Sequence, residues 1–558
     1  MDAGRLRGAT RARFWIALLM LAAPTGCSLS RSSTIWNPPL SPSPARAATG
    51  YLASAEANFS AGLAADAAGD PVAIDYYYAA ATESWPLHVA GATTPGDAGS
   101  ELYRAAVRKL LDAAARYGRL DSTQGLTLGD GGRIPVRYVG FLWQAADFRC
   151  LQPVGSYASH QLTHRYASSG VGVEYVVLTS DVPRRPFTKS RQPFAATAVL
   201  QPGAAPFGGG FTLDFYDPLR TAATDTGLPL ARDLTAPIAY DATQDSDAWL
   251  EHFLDPADND AGASLRMTEP YQPGKIPIVL VHGLASSPVT WSHLENDLRA
   301  QPAIMARYQI WAFRYDTGDP FLTSATELRQ QLATLRQTYD PCRADPNLSR
   351  MVMIGHSLGG LVSKLQVTNS GDVLWRSAAK QPFDTIRTDP DTRARLANSF
   401  FFTPSPDVAR VIYIATPHRG SIYARRCVGQ ISSALVKEPP DWTARHIQLI
   451  RDNPDAFHEE MSRGIPTSID LLEPSGYILQ ATSRLPYRQG VRLHSIIGDD
   501  RWTLNEGESD GVVAVSSARL LGVQSERIVD ASHTEILKRS ETSTEVLRIL
   551  LAHAAESP

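Results

Sequence analysis

The most constraining feature of the chain is the stretch Met351–Gly360, MVMIGHSLGG. Its first four residues are apolar and predict a short buried strand, and the residues that follow, 361–366, continue as a helix. Between strand and helix, Gly355 and Gly359 stand two residues before and two residues after Ser357. Glycine at both positions indicates a turn in which a Cβ would clash. The stretch therefore predicts a strand, a sharp turn that holds the serine at the carboxyl edge of a sheet, and a helix.

Strands and helices alternate on both sides of this turn. The apolar, β-branched segments predict strands at 276–281, 308–315, 410–415 and 492–497, and the amphipathic segments predict helices at 291–298 and 325–338. Such alternation is typical of an α/β fold with a doubly wound, mostly parallel sheet. Two further segments, 371–405 and 420–488, do not fit this core. They follow strands at the edge that carries the serine, so we predict cap-like insertions there.

A serine hydroxyl becomes a nucleophile only when a base accepts its proton and a carboxylate orients that base. This strand–turn–helix resembles the nucleophile turn of the α/β-hydrolases, and the resemblance implies the chain order serine, acid, histidine. We therefore predict Ser357 as nucleophile, Asp510 as acid and His533 as base. Asp499 and Asp500, at the end of a predicted strand, remain alternative acids.

Three other histidines lie near these segments. His494 lies inside a predicted strand, and His418 comes too early in the chain for the expected order. His356 precedes the serine directly, and we predict that it supports packing around the turn.

Attack on a carbonyl group creates an oxyanion that two backbone N–H groups can stabilise. One is predicted at Leu358, directly after the serine. The other is predicted at Leu284, after His282 and Gly283 at the end of the first strand of this domain.

The first half of the chain has a different pattern. Residues 49–118 predict a helical segment broken near Gly69, and 119–245 predict a small β-rich domain with Gly and Pro turns. The α/β domain then occupies 246–558. No function follows from 49–245.

The N-terminus has the pattern of an export signal. Arginines precede an apolar run from Phe14 to Ala23, which is too short to span a bilayer. The run ends just before Gly26 and Cys27, a pattern that resembles a lipoprotein cleavage site. We predict a signal peptide with an anchor cysteine over 1–27 and a Ser/Pro-rich tether over 28–48. The expected location is the bacterial cell envelope, with a lipid anchor at Cys27.

Composition excludes several classes of function. With 53 basic and 57 acidic residues the formal charge is −4, and no basic cluster with interleaved aromatics suggests nucleic-acid binding. Besides Cys27, three cysteines remain, Cys150, Cys342 and Cys427, and their pairing is undetermined. Their spacing predicts no metal site. We expect no cofactor.

Five motifs together resemble the lipase/esterase branch of the α/β-hydrolases: VHGLASS (281–287), GHSLGG (355–360), ATPHRGS (415–421), SDGVV (509–513) and SHTEIL (532–537). The GHS turn at 355–357 and the ATPHRGS loop are also similar to those of GPI inositol-deacylase-like hydrolases. The resemblance covers about 270–555. It implies serine-dependent hydrolysis of carboxylic, lipid-like esters, with Ser357, Asp510 and His533 as the triad. Some bacterial lipases hold calcium near the histidine loop, but beside Glu535 the sequence offers no convincing second ligand.

Two other functions remain open at this point. The same triad could transfer an acyl group to an envelope lipid, or the protein could be a scaffold lipoprotein with a vestigial hydrolase domain.

Overall fold

The computed structural model describes the chain from residue 44 to 556 with gaps; its ranges are 44–94, 96–155, 162–183, 185–203, 210–243, 263–284, 286, 288–316, 319–422, 440–462, 468, 470–503 and 507–556. The predicted signal peptide, the anchor Cys27, most of the tether and Cys427 lie outside the described residues. Met1–Thr49 and Gly50–Pro558 are two separate compact units. Among the described residues, no helix is long and apolar enough to cross a membrane.

A seven-stranded sheet forms the centre of the C-terminal half. Its strands, in spatial order, are β11 (Ser264–Met267), β13 (Tyr308–Arg314), β12 (Ile276–Val281), β14 (Met351–His356), β15 (Val408–Ile414), β16 (Arg492–Gly498) and β19 (Ser525–Val529). Strand β11 pairs antiparallel with its neighbour, and the other pairs are parallel. The chain order reverses at β12, as a doubly wound sheet requires. The predicted α/β fold is confirmed.

The central strands are buried on both faces, which explains their nearly continuous apolar sequence. In β12, Val279 and Val281 belong to one hydrophobic core, while Ile278 and Leu280 belong to the core on the opposite face. The helices that cover the two faces are α4 (Ser292–Arg299), α5 (Pro302–Arg307), α6 (Phe321–Tyr339), α7 (Leu358–Lys364), α13 (Val515–Ala518) and α14 (Ser540–Ala555). A short two-stranded sheet, β17 (Arg501–Thr503) with β18 (Gly507–Ser509), precedes α13.

Both segments predicted as insertions contain helices outside the sheet layers. The first carries α8 (Val373–Ala378) and α9 (Pro390–Phe400), and the second carries α10 (Pro440–Asp452), α11 (Glu459–Ser462) and α12 (Tyr477–Arg484). An apolar cavity of about 130 Å³ lies among them, lined by Leu396, Leu449 and Leu471 among others.

The N-terminal half contains three helices and a five-stranded sheet. The helices are α1 (Pro44–Ala67), α2 (Ala73–Gly91) and α3 (Ala98–Arg116), and the sheet has the order β4 (Val136–Val139), β9 (Phe211–Tyr216), β8 (Pro193–Pro202), β7 (Val173–Leu178), β5 (Cys150–Pro153). The small strands are β1 (Leu120–Asp121), β2 (Gly125–Thr127), β3 (Arg133–Ile134), β6 (Ala167–Ser168) and β10 (Arg232–Asp233).

Helices α2 and α3 share one hydrophobic core with this sheet. Tyr77 of α2 and Tyr103 of α3 are fully buried in the same cluster as Phe215 of β9. The Tyr103 hydroxyl donates a hydrogen bond to the carbonyl oxygen of Leu200 in β8, at 2.9 Å. The helical and β-rich segments are thus two layers around a common core. Helix α1 begins at Pro44, within the segment predicted as tether, because 44–48 is rich in alanine and starts with a proline that suits a first helical turn.

The two halves of Gly50–Pro558 are joined by buried and partly buried polar contacts at helix α4. Asp297 of α4 accepts hydrogen bonds from His164 Nδ1 at 3.0 Å and from the Tyr166 hydroxyl at 2.8 Å. The Asn296 side chain accepts a bond from Thr235 at 2.9 Å. Helix α4 is therefore held on its outer side by the N-terminal half.

Candidate active site

Ser357 lies at the turn between β14 and α7, in a backbone conformation that is rare for a residue with a side chain. Its φ is 52° and its ψ is −124°. A Cβ on Gly355 would lie 2.5 Å from the carbonyl oxygen of Gly359, and a Cβ on Gly359 would lie 2.2 Å from that of Val281. Both contacts are with backbone atoms, which cannot move aside. The two glycines are therefore required by the strand–turn–helix packing, and the serine carries the strain of the turn.

His533 lies beside this serine. Its Nε2 is 2.9 Å from the Ser357 Oγ, and its Nδ1 is 2.7 Å from Oδ2 of Asp510. A carboxylate only accepts hydrogen bonds, so Nδ1 carries the proton and Nε2 is free to accept the serine proton. The three residues that the sequence analysis selected thus form one hydrogen-bonded chain.

Asp510 is oriented by the backbone around it. Its Oδ1 accepts hydrogen bonds from the N–H groups of Val512 and Val513, at 2.9 and 2.7 Å, which leaves Oδ2 for the histidine. The carboxyl group is almost completely buried. The N–H of His533 also donates to the carbonyl oxygen of Asp510, at 3.0 Å, so the two loops are joined twice. The alternative acid Asp500 instead pairs with Arg501, at 2.8 Å.

The loop after β12 lies against the serine. A Cβ on Gly283 would lie 3.0 Å from the Ser357 Cβ, so the backbone that leads into Leu284 passes beside the serine. His282 fixes this loop, since its ring stacks on Tyr315 at 4.4 Å and its carbonyl oxygen accepts the Tyr315 hydroxyl at 2.7 Å. Burial lowers the pKa of His282 to about 4, so the ring stays neutral.

Leu358 is the first residue of α7. The N–H groups of the first helical turn have no acceptor inside their own helix and are available to a negative charge. The predicted pair of N–H groups therefore lies on the two backbone segments that flank the serine.

His356 has a role that the sequence pattern did not indicate. Its Nε2 is 3.0 Å from the carbonyl oxygen of His533, and the two rings are 5.0 Å apart. Burial lowers its pKa to about 3. The sequence predicted packing around the turn, whereas the structure adds a hydrogen bond to the backbone of the predicted base. Only the fold could show this, because His356 and His533 are 177 positions apart in the chain.

His494 and His418, the two other histidines considered from the sequence, make different contacts. His494, inside β16, is hydrogen-bonded to Arg410 at 2.5 Å and to Ser525 at 2.7 Å, and burial lowers its pKa to about 4. His418 is buried against Tyr413, with ring centres 4.6 Å apart, and burial holds its pKa well below the usual range. His494 is thus held by contacts within the sheet, whereas both ring nitrogens of His418 have no hydrogen-bond partner among the described residues.

Within the described part of the chain, no group of three His, Cys, Asp or Glu side chains is arranged to hold a metal ion. Glu535, the residue at the calcium position of some lipases, forms an ion pair with Lys538 at 3.2 Å. Cys150 and Cys342 are both free thiols.

Comparison with known proteins gives a family for this half of the chain. Residues 278–539 match the Alpha/beta hydrolase family. No curated protein matches the chain significantly.

Solved structures similar to the chain include the mature lipase BlEst2 of Bacillus licheniformis, at 19% identity with a TM-score of 0.31, covering 52% of this chain and 99% of that one. They also include Staphylococcus hyicus lipase, at 14% identity and TM-score 0.32, covering 51% and 97%, and EstA from Clostridium botulinum, at 12% and 0.32, covering 52% and 90%. Sequence identities and TM-scores this low assign no substrate to this chain.

The matched segment contains the central sheet from β12 to β19, the glycine-flanked Ser357 turn, and the Asp510 and His533 loops. Residues 278–539 therefore match the α/β-hydrolase family and have the α/β-hydrolase fold.

Proposed function

We propose that the protein is a serine hydrolase that cleaves carboxylic esters, with lipid-like esters as its substrates. The observation that carries the proposal is the continuous hydrogen-bonded chain from Ser357 Oγ through His533 to Asp510, with distances of 2.9 and 2.7 Å. In this arrangement the base can accept the serine proton without any rearrangement. The α/β-hydrolase domain and the almost complete burial of Asp510 support the proposal.

The reaction follows from this geometry. Ser357 Oγ attacks the ester carbonyl carbon while His533 Nε2 takes the hydroxyl proton. The imidazolium that forms is stabilised by the Asp510 carboxylate at Nδ1. His533 then gives its proton to the leaving alkoxide, and an acyl-enzyme remains on the serine. A water molecule, deprotonated by the same Nε2, attacks the acyl carbon. The bond from that carbon to Ser357 Oγ then breaks, Nε2 returns the proton to Oγ, and the carboxylic acid is released.

The negative charge of each tetrahedral intermediate is assigned to the N–H groups of Leu284 and Leu358. They lie on the two segments that meet at the serine, the loop beside Gly283 and the first turn of α7. Loss of one such donor typically costs about 3–4 kcal/mol of transition-state stabilisation.

The test is hydrolysis of p-nitrophenyl esters from acetate to palmitate by residues 28–558, with Ser357→Ala alongside. Because the variant lacks only one hydroxyl, we expect it to fold normally and to lose all turnover above background. The rise or fall of the rate with acyl length distinguishes an esterase from a lipase. A folded protein with no activity on any ester, or a variant with wild-type activity, would contradict the proposal. Transfer of the acyl group to an added alcohol in preference to water would identify an acyltransferase.

We further propose that the mature protein is exported and anchored by lipid at Cys27. The supporting pattern is the arginine-rich start, the apolar run Phe14–Ala23 and the Gly26–Cys27 pair directly after it. Radioactive palmitate supplied to a bacterial host should be incorporated into the wild type and not into Cys27→Ser. Equal labelling of both would contradict the anchor.

A further inference from the structure

We infer that His356 is a positioning residue that sets the place of the proposed base. This inference rests on the proposed function of the Ser357 site. The observation is the hydrogen bond between His356 Nε2 and the backbone carbonyl oxygen of His533, at 3.0 Å. It joins the strand that carries the serine directly to the loop that carries the base.

The chemistry of the bond fixes the form of the His356 ring. A carbonyl oxygen only accepts hydrogen bonds, so Nε2 must carry the proton, and in the neutral ring Nδ1 is then unprotonated. Nδ1 is buried and has no hydrogen-bond partner in the described structure. A Cβ on Gly283 would lie 3.0 Å from this atom, so the loop after β12 closes the space around it. The ring is a single donor, held in one orientation.

His356 is also packed from the side. The indole of Trp291 meets its ring edge-on, with centres 6.5 Å apart, and the His533 ring lies 5.0 Å away. The side chain is 5% exposed, so it has little freedom to turn away from the carbonyl. His356, next to the nucleophile in the chain, therefore restricts the position of His533, which must accept the Ser357 proton.

The His533 backbone is then held at both of its polar groups. Its N–H donates to the carbonyl oxygen of Asp510 and its carbonyl oxygen accepts from His356, each at 3.0 Å. The first bond relates the base to the acid, and the second relates the base to the nucleophile strand. Without the second bond, the loop could move along the direction that separates His533 Nε2 from Ser357 Oγ. Small displacements of that kind reduce the rate of the chemical step more than they reduce substrate binding.

The chain offers a matched control in His553. This residue is also buried, and burial lowers its pKa as it does for His356. Its Nε2 also forms a hydrogen bond with a backbone carbonyl oxygen, that of Arg350, at 3.0 Å. It lies in the last turn of α14, outside the hydrogen-bonded chain of the site. Replacing either histidine removes a hydrogen bond from Nε2 to a backbone carbonyl at a buried place, and at His553 it also removes the contact of Nδ1 with Glu556 at 3.3 Å.

The experiment compares His356→Leu and His356→Gln with His553→Leu and His553→Gln in the full chain, at equal folded fraction by circular dichroism. Glutamine places its amide nitrogen the same number of bonds from Cβ as His Nε2 and retains the donor. We expect His356→Leu to lower kcat on p-nitrophenyl butyrate by about tenfold or more with KM changed less than about twofold. His356→Gln should recover most of this loss. Both His553 variants should keep wild-type kcat.

Fluorophosphonate labelling of Ser357 provides an independent measurement, and it should slow in His356→Leu by the same factor as kcat. The inference is overturned if His356→Leu behaves like His553→Leu, or if glutamine is no better than leucine. Failure of the proposed function gives a different result, since either the wild type would then hydrolyse no ester or Ser357→Ala would retain activity, whatever the His356 variants do.

Discussion

At the scale of single residues, the turn at Ser357 requires a residue without a Cβ at position 359. A methyl group on Gly359 would meet the carbonyl oxygens of Val281 and His282 at 2.2 and 2.3 Å. Neither oxygen belongs to a flexible side chain, so β12 and α7 would have to separate.

Gly359→Ala should therefore lower the free energy of unfolding by about 1–3 kcal/mol and reduce activity further, because the serine moves with the turn. Chemical denaturation and ester hydrolysis measure the two effects. Gly210→Ala is the control, since a Cβ there meets no atom of the described residues within 4 Å. Equal stability of both variants would show that the turn tolerates a side chain.

The identity of the acid is a second prediction at this scale. Asp510→Asn should lower kcat on the order of 10³–10⁴-fold, because an amide no longer fixes the tautomer of His533 or stabilises its charge. Asp500→Asn should change kcat by less than about twofold, since that carboxylate pairs with Arg501 instead. The reverse ranking of the two variants would move the acid to Asp500.

At the scale of elements, His88 joins three parts of the N-terminal half. It lies on α2, its Nδ1 bonds Ser100 of α3 at 2.8 Å, and its Nε2 accepts the N–H of Gly172, just before β7, at 2.9 Å. Because Nε2 accepts, a second ring proton would face an N–H group. Burial lowers the pKa of His88 to about 3, consistent with a neutral ring.

This predicts a loss of stability in acid. Between the ordinary histidine pKa of about 6.5 and the folded value, the unfolded chain binds a proton that the folded chain does not. Stability therefore falls as pH decreases from about 6.5, by up to about 1.4 kcal/mol per pH unit for this one group. Denaturation at pH 7, 6 and 5 should give a smaller slope for His88→Gln than for the wild type. An unchanged slope would mean that His88 titrates normally in the fold.

At the scale of the whole molecule, the N-terminal half is attached to the hydrolase domain through helix α4. Asp297 accepts hydrogen bonds from His164 and Tyr166 on one side and from Ser543 of α14 on the other. Its side chain is 9% exposed, so these partners lose a buried acceptor when it is removed.

Asp297→Ala should lower the free energy of unfolding by about 2–4 kcal/mol and allow the two halves to unfold separately. Differential scanning calorimetry should show one transition for the wild type and two for the variant. Asp372→Ala, at an ion pair exposed to solvent, should shift stability by less than about 0.5 kcal/mol. A single unshifted transition for Asp297→Ala would show that other contacts join the halves.

Much of the architecture was predictable because it depends on local patterns. The alternation of apolar strands and amphipathic helices predicted the parallel sheet, and two glycines around Ser357 predicted the turn. Helix α2 was harder: the pattern predicted a helical segment over 49–118, but it did not predict that one helix continues through Pro86 to Gly91. Packing of its buried side chains against α3 and the sheet compensates for the proline, and no local signal reports such packing.

The sequence by itself determined the order of elements and the residue types at the site, since spacing and side-chain chemistry are local properties. Only the tertiary structure decided that Asp510, and not Asp500, forms the hydrogen bond with His533. The reason is that the contacts between loops at the ends of β16 and β19 depend on how the strands are placed in space. The tertiary structure also decided that His356 holds the His533 backbone and that Asp297 joins the two halves. Hydrogen bonds between residues more than a hundred positions apart have no signature in the chain, because folding alone brings their atoms within 3 Å.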